Sequence, residues 1–121
     1  MTNILIVEDN DENFFLLEEI LEDYKINITR ASNGKEFYSI IAGTHDFNLV
    51  LMDLMLPDTD GIELTKYLIG NKIKIPIVFI SAYTERCEEI FELGVDYFLN
   101  KPVMIELFLS IISKYVKLVE K

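Results

Sequence analysis

The chain is short of several residue types that define particular classes of protein. Its one cysteine, Cys87, cannot form a disulfide within the chain, so nothing indicates an oxidising compartment. Basic residues number 11 against 21 acidic ones, and a net charge of −10 leaves no surplus of cations to bind a nucleic-acid backbone. No apolar run approaches the length of a membrane span, and the amino-terminal segment becomes acidic too early for a signal peptide. We therefore expect a cytoplasmic protein that binds neither nucleic acid nor membranes.

The sequence does contain enough apolar material for one folded core. Half of its 121 residues are hydrophobic and 12% are aromatic, which excludes a disordered acidic chain. No linker, internal repeat or low-complexity segment interrupts the pattern, and the length fits a single domain. We expect one domain, residues 1–121.

Short apolar segments alternate with amphipathic ones along the whole chain. The apolar segments predict five strands, at residues 3–7, 26–31, 49–52, 74–81 and 97–100. The amphipathic segments predict five helices, which begin near residue 10 and near Gly61 and span 35–42, 85–93 and 103–119. This alternation is typical of a doubly wound α/β fold, a parallel sheet with helices on both faces.

Polar side chains stand at the carboxyl ends of four of the predicted strands. Asp53 directly follows the apolar run of the third strand, and Glu8 and Asp9 follow the first. Ser81 ends the fourth strand, and Lys101 follows the fifth. Ligands of such folds bind beyond the carboxyl ends of the strands. We therefore expect these five side chains to meet in one shallow pocket.

The predicted pocket has a definite chemistry. Three clustered carboxylates repel one another and need a compensating cation, for which Mg²⁺ is the natural choice because it prefers oxygen ligands. Zinc is disfavoured because the set contains no histidine or cysteine. The central Asp53 can act as a nucleophile that forms an aspartyl-phosphate, with Lys101 and Ser81 contacting the phosphoryl oxygens. The only histidine, His45, is expected on the face away from the pocket, without a role there.

Four motifs carry a resemblance to a known family. They are Val-Glu-Asp-Asn at 7–10, Met-Asp-Leu-Met-Leu-Pro-Asp-Thr-Asp-Gly at 52–61, Ile-Ser-Ala at 80–82 and Phe-Leu-Asn-Lys-Pro at 98–102. Their combination and order resemble the CheY-like receiver domain of two-component response regulators. The resemblance covers the whole chain and implies a flavodoxin-like (β/α)5 fold with strand order 2-1-3-4-5.

The resemblance also implies roles for individual residues. Asp53 would be the phosphoacceptor, and Lys101 would contact the phosphate and precede a cis Pro102. Ser81 and Phe98 would be the switch residues, although Phe98 lacks the hydroxyl of the commoner tyrosine. The implied ligands of Mg²⁺ are Glu8, Asp9, Asp53 and the backbone carbonyl of Met55.

The implied function is a phosphorylation-dependent signalling switch. The phosphoryl group would come from a sensor histidine kinase or a histidine phosphotransfer protein. The chain would not be an enzyme but a phosphoacceptor that assists its own phosphorylation and dephosphorylation. The alternative is a constitutive protein-interaction module with a vestigial acidic pocket. A flavin- or nucleotide-binding domain is disfavoured because no glycine-rich loop follows the first strand. A haloacid-dehalogenase-like phosphatase would need an aspartate in place of Met55.

Two segments are relevant to the surface that would bind a downstream partner. The stretch from Ser81 to Gly94 is about two residues shorter than the family leads us to expect, so the fourth helix or its leading loop should be abbreviated. The apolar arc of the last predicted helix is wider than one sheet can cover. We expect phosphorylation to change the binding of a downstream protein or a second copy at the face of the fourth helix, fifth strand and last helix, next to Phe98. The alternative is that these apolar side chains are merely scattered on the surface or contact the fourth helix. The expected sheet-facing residues are Leu107, Phe108, Ile111, Ile112, Tyr115 and Leu118, and the expected uncovered ones are Ile105, Leu109 and Val116.

Overall fold

The computed structural model of the protein describes residues 2–43 and 46–121. The expectation for His45 lies outside these residues. Within them, no helix combines the length and the apolar character that crossing a membrane requires.

Five parallel strands form one sheet in the order β2-β1-β3-β4-β5. The strands are β1 (Thr2–Val7), β2 (Ile26–Ala31), β3 (Leu49–Met52), β4 (Ile77–Ser81) and β5 (Tyr97–Asn100). The helices between and after them are α1 (Asp11–Leu21), α2 (Gly34–Gly43), α3 (Gly61–Gly70), α4 (Cys87–Glu92) and α5 (Ile105–Ile112). The predicted fold class and the strand order implied by the resemblance are confirmed.

The central strands are apolar on both faces because helices cover both sides of the sheet. On one side, alternate residues of β1 and β3 such as Leu5 and Val50 pack with α2, α3 and α4. On the other side, their neighbours Ile4 and Leu49 pack with α1 and α5. In α1, the inner face predicted from the sequence is confirmed, since its buried residues are Phe14, Leu17 and Leu21.

Local signals explain where several elements begin and end. Asn10 precedes α1, and its side chain accepts a hydrogen bond of 2.9 Å from the Asn13 N–H. Gly94 follows α4 with a φ of 94°, a conformation that costs glycine little. Helix α4 has six residues and is shorter than the predicted 85–93. Strand β4 begins at Ile77 rather than at residue 74, after Pro76, which cannot donate to the ladder.

The prediction of a last helix over residues 103–119 is wrong, because α5 ends at Ile112. The following segment turns back toward the end of α1 instead of continuing as a helix. The Lys25 N–H donates to the Val119 carbonyl at 2.7 Å, and the Lys121 N–H donates to the Asp23 carbonyl at 2.9 Å. These backbone bonds replace the helical ones that the segment gives up.

The early end of α5 changes which apolar residues are covered. Val116 is buried, with 7% of its surface exposed, so the prediction that it is uncovered is wrong. Leu107 was expected to face the sheet but is 48% exposed. Ile105 is 54% exposed, as expected, and Leu109 is half-buried. Leu107 lies within α5, so the helical spacing alone did not show which side of this helix faces the sheet.

Candidate functional site

The carboxyl ends of the strands bring the predicted polar side chains to one edge of the sheet. Val7 pairs with Met52 in the ladder of β1 and β3, so the next residues, Glu8 and Asp53, leave the sheet side by side. The Asp53 N–H donates to the Val7 carbonyl at 3.0 Å, which continues the ladder by one bond. Both carboxylates are therefore positioned by the buried centre of the sheet.

Lys101 connects the two carboxylates. Its Nζ donates to Glu8 Oε1 at 2.6 Å and to Asp53 Oδ2 at 2.9 Å. The side chains of Lys101, Glu8 and Asp53 are 16%, 3% and 8% exposed. Such short charge-assisted bonds in a largely dry setting hold the three groups in a defined arrangement. One ammonium faces two carboxylates, so the cluster can accept a further cation to balance its negative charge.

The charges in this cluster shift its proton equilibria. Burial raises the pKa of Glu8 from its ordinary value of 4.5 to about 7, the hydrogen bond from Lys101 opposes this shift, and the charge of Asp53 adds to it. Burial alone would lower the pKa of Lys101, but the hydrogen bonds to Glu8 and Asp53 outweigh burial and raise that pKa. The lysine is therefore charged throughout the physiological range.

Asp9 completes an oxygen-rich cluster. One carboxylate oxygen each from Glu8, Asp9 and Asp53 lies within 4.8 Å of the others, and Asp9 is exposed while its partners are buried. Within the described residues, the open depression above them has no histidine or cysteine in its lining. Carboxylate oxygens in such proximity suit a hard cation such as Mg²⁺. The residues present thus fit the predicted metal.

The remaining predicted site residues lie around this depression at different depths. Met55 lines it and is 50% exposed, and its backbone pairs with Asp60 in an antiparallel bridge. Ser81 is fully buried, and its Oγ accepts a bond of 3.1 Å from the Tyr83 N–H. Among the described residues, the lining includes Tyr83 but not Ser81. Ser81 therefore directly precedes two residues that line the depression, Ala82 and Tyr83, but does not line it itself.

Phe98 lies outside the depression, at the sheet face covered by α3 and α4. Its ring stacks on that of Phe79, with centroids 6.4 Å apart and planes 5° from parallel. The side chain is half-buried and packs against the core on that side. The Lys101–Pro102 bond beyond β5 is cis, as the resemblance implies.

Arg30 contributes to the site and was missed by the sequence reasoning. Its Nε donates to the Glu8 carbonyl at 3.2 Å, and its Nη2 donates to the Asp9 carbonyl at 3.3 Å. The same guanidinium pairs with Asp11 at 2.8 Å and lies 4.6 Å from the centre of the Phe14 ring. Arg30 thereby supports the backbone that carries the two acidic residues. It lies on the edge strand β2, and no motif around it in the sequence indicates this role.

Comparison with known proteins agrees with this geometry. The family model of the response regulator receiver domain matches residues 4–113. The polar-differentiation response regulator DivK of Brucella anthropi is 31% identical over 117 residues, which cover 93% of this chain and 94% of DivK. The similarity therefore extends over nearly the full length of both proteins.

Solved structures show the same likeness. The receiver domain of the Francisella response regulator 1452 superposes with a TM-score of 0.85 at 27% identity, covering 95% of this chain and 96% of that one. A CheY-like receiver domain from Methanospirillum hungatei gives a TM-score of 0.84 at 27% identity, covering 94% and 92%. Fold, sequence motifs and family match agree, and the chain belongs to the response regulator receiver domain family of two-component signalling.

Proposed function

We propose that the chain is a phosphorylation-controlled switch in which Asp53 accepts the phosphoryl group. The observation that carries the proposal is the bond of 2.9 Å between Lys101 Nζ and Asp53 Oδ2 at the floor of an open depression. A carboxylate held beside a fixed ammonium is oriented for attack, and the ammonium is placed to meet the charge that an incoming phosphate brings. We further propose that residues 1–121 form one receiver domain and that it acts in the cytoplasm.

The proposed reaction transfers a phosphoryl group from a phosphohistidine to Asp53. A carboxylate oxygen of Asp53 attacks phosphorus while the phosphorus–nitrogen bond breaks, and the histidine imidazole leaves and takes up a proton. The switch is turned off by hydrolysis: water attacks phosphorus, the bond between phosphorus and the Asp53 oxygen breaks, and a proton of the water passes to solvent. The Asp53 carboxylate is regenerated and inorganic phosphate leaves. Positioning and charge neutralisation supply most of the rate in such transfers.

Three kinds of group in the pocket support these steps. Lys101 binds a phosphoryl oxygen as a point charge, and Ser81 donates a hydrogen bond to another after it becomes accessible. The ligands of Mg²⁺ would be Glu8, Asp9, Asp53 and the backbone carbonyl of Met55, and the metal would supply neutralisation of the phosphoryl charge. Receiver domains exchange signals with kinases and downstream effectors. For this chain the phosphodonor is a sensor histidine kinase or a histidine phosphotransfer protein.

In the proposed switch, Ser81 and Phe98 couple phosphorylation of Asp53 to a change at the face formed by α4, β5 and α5. Ser81 must change position to reach a phosphoryl group, and Phe98 is half-buried and adjoins the same face. The half-exposed Phe91 of α4 and Leu107 of α5 provide apolar contact area for a downstream protein or a second copy. The prediction that Ile105, Leu109 and Val116 belong to this face is wrong. Val116 is buried, and Ile105 and Leu109 line a depression on the other side of α5, together with Leu16 and Ile20 of α1.

The alternative is a constitutive interaction module with an inert pocket. The bonds from Lys101 to both buried carboxylates favour the switch, because clustering charged groups at low exposure costs stability and is typical of functional sites.

A small phosphodonor tests the proposal directly. Incubation with acetyl phosphate and Mg²⁺ should raise the intact mass by one phosphoryl group, and a chelator should prevent this. Asp53→Asn should abolish the shift, while the control Asp23→Asn, an exposed aspartate outside the depression, should retain it. A shift that survives Asp53→Asn, or an unchanged mass under all conditions, would exclude Asp53 as the acceptor.

A further inference from the structure

All three nitrogens of the Arg86 guanidinium donate hydrogen bonds, and they connect the start of α4 to the loop before α3. It directly precedes α4, and its Nη1 donates to Asp60 Oδ2 at 3.0 Å, 26 positions away in the chain. Its Nε and Nη2 each donate at 3.0 Å to the two carboxylate oxygens of Glu89, one turn into α4. The bidentate pair with Glu89 fixes the orientation of the guanidinium, so its remaining nitrogen points at Asp60.

The Asp60 end of this connection is firmly held. Asp60 precedes α3, and its Oδ1 accepts a bond of 2.9 Å from the Glu63 N–H. Its backbone pairs with Met55, and the adjacent Gly61 N–H donates to the Leu54 carbonyl at 2.8 Å. The loop from Asp53 to α3 is thus closed on itself, and Arg86 binds to an anchored point beside the acidic pocket.

The Arg86 end belongs to a loop with fewer constraints. Residues 82–85 between β4 and α4 are exposed, and Ala82 and Tyr83 line the depression above Asp53. Within residues 2–43 and 46–121, the bond from Arg86 to Asp60 is the only side-chain hydrogen bond between this loop and the loop after Asp53. Displacement of residues 82–86 therefore stretches or breaks that bond.

We propose that Arg86 is a positioning residue that tethers the loop between β4 and α4 in its unphosphorylated position and so opposes phosphorylation of Asp53. This inference rests on the proposed function. Ser81 is fully buried with its hydroxyl bound to the Tyr83 N–H, so contact with a phosphoryl group requires movement of this loop. Any bond that exists only before the movement lowers the population of the moved state.

The exposure of the tether limits the size of its effect. The side chains of Arg86 and Asp60 are 40% and 25% exposed, and ion pairs of this kind change an equilibrium by a few-fold. Loss of the tether should therefore raise the rate of phosphorylation about two- to five-fold. Lysine at this position would keep the charge but not the fork that binds Glu89 and Asp60 together, so its effect should be intermediate.

Two variants and their combination test the tether. Arg86→Met and Asp60→Asn should each speed phosphorylation by acetyl phosphate and Mg²⁺ about two- to five-fold, since the asparagine keeps the oxygen that caps α3. The double variant should be no faster than the faster single one, because both remove the same bond. The control Lys66→Met removes an exposed cation of α3 that pairs with Glu63 at 3.7 Å, and it should leave the rate unchanged. Unchanged or lower rates in both single variants, or additive effects in the double one, would overturn the proposal.

A measurement on the unphosphorylated protein separates this proposal from the proposed function. Amide hydrogen exchange of Tyr83 and Thr84, followed by NMR, should accelerate several-fold in Arg86→Met and less in Arg86→Lys, with unchanged exchange in β1. If the wild type is never phosphorylated but exchange accelerates as described, the tether stands and the phosphoacceptor role fails. If exchange at these amides is unchanged in a folded Arg86→Met variant, the tether itself is wrong.

Discussion

The ammonium of Lys101 lies 2.9 Å from the Asp53 carboxylate, although 48 positions of the chain separate the two residues. The contact crosses one intervening strand, because Asp53 follows β3, Lys101 follows β5 and β4 lies between these strands. It depends on the parallel arrangement, which sends the carboxyl ends of all three strands to the same edge. The topology of the sheet thus brings together the residues of the proposed reactive centre.

Lys101→Met should lower both stability and reactivity. Removing the ammonium leaves two buried carboxylates without their partner, which should cost about 3 kcal/mol of unfolding free energy. Phosphorylation by acetyl phosphate should slow roughly a hundredfold, since a positioned charge is lost. Urea denaturation and intact mass measure the two effects. The control Lys74→Met, at an exposed residue before β4, should match the wild type in both. Equal stability of the two variants would contradict the structural role of Lys101.

The affinity for Mg²⁺ should rise with pH. Glu8 must lose its proton to bind the metal, and its pKa is raised to about 7. Affinity should therefore increase about tenfold between about pH 6 and about pH 8, measured by calorimetry or by tyrosine fluorescence. Glu8→Gln should bind more weakly and lose this dependence.

In the metal-free protein, Glu8 should make the free energy of unfolding decrease as the pH rises. Because the pKa of Glu8 in the folded state lies above its ordinary value of 4.5, the folded state holds the proton more tightly. The contribution of Glu8 to stability should be present at low pH and be lost as pH rises from 4.5 to about 7. Denaturation at several pH values measures it, and an identical slope in Glu8→Gln would assign it to another group.

The residue at position 55 should influence the lifetime of the phosphorylated state. Met55 is half-exposed at the rim of the depression, and its side chain offers no hydrogen-bonding group to orient an attacking water. Met55→Asn supplies an amide and should speed dephosphorylation roughly tenfold. The decay of intact mass after removal of the phosphodonor measures this. Met104→Asn, at a 72% exposed methionine outside the depression, is the control and should decay as the wild type does. An unchanged decay in Met55→Asn would show that water is positioned by other groups.

Gly61 should tolerate no side chain. A Cβ there would contact the Asp53 carbonyl and would lie 2.8 Å from both Met52 Cγ and Phe79 Cε2. Gly61→Ala should cost about 3 kcal/mol, because the surrounding atoms belong to the sheet and cannot move cheaply. Gly70→Ala, where nothing lies within 4 Å, should be neutral or stabilising by up to about 1 kcal/mol. Equal urea midpoints for the two variants would refute the steric account.

Two substitutions test which apolar residues of α5 and the following segment are covered. Val116→Lys should cost about 3 kcal/mol or more, because it buries a charge at a residue that is 7% exposed. Leu107→Lys should change stability by no more than about 0.5 kcal/mol, since Leu107 is 48% exposed. Thermal denaturation compares them. The pattern predicted from the sequence, with Leu107 against the sheet and Val116 uncovered, would reverse the order.

The sequence by itself determined the fold class and the position of the acidic cluster. The bounds of β2 and β5 agree with the prediction, and so does the inner face of α1. These features depend on local patterns: a strand buried on both faces must be continuously apolar, and the first polar residue after it marks its end. Glu8 and Asp53 each stand at such an end, and Lys101 directly follows the edge strand β5, so a topological rule sufficed to bring them together.

Only the tertiary structure decided the end of α5, the raised pKa of Glu8 and the contacts of Arg30 and Arg86. Residues 113–119 are apolar enough to continue a helix, but burial of Val116 and the bond from Lys25 to Val119 favour a turn back toward α1. The pKa of Glu8 depends on how much water the whole fold excludes. The two arginines act through partners that are distant in the chain, such as Glu8 for Arg30 and Asp60 for Arg86. Local sequence patterns do not predict such contacts. The interaction energy of each contact arises only when the folded backbone brings the two partners within a few ångströms of each other.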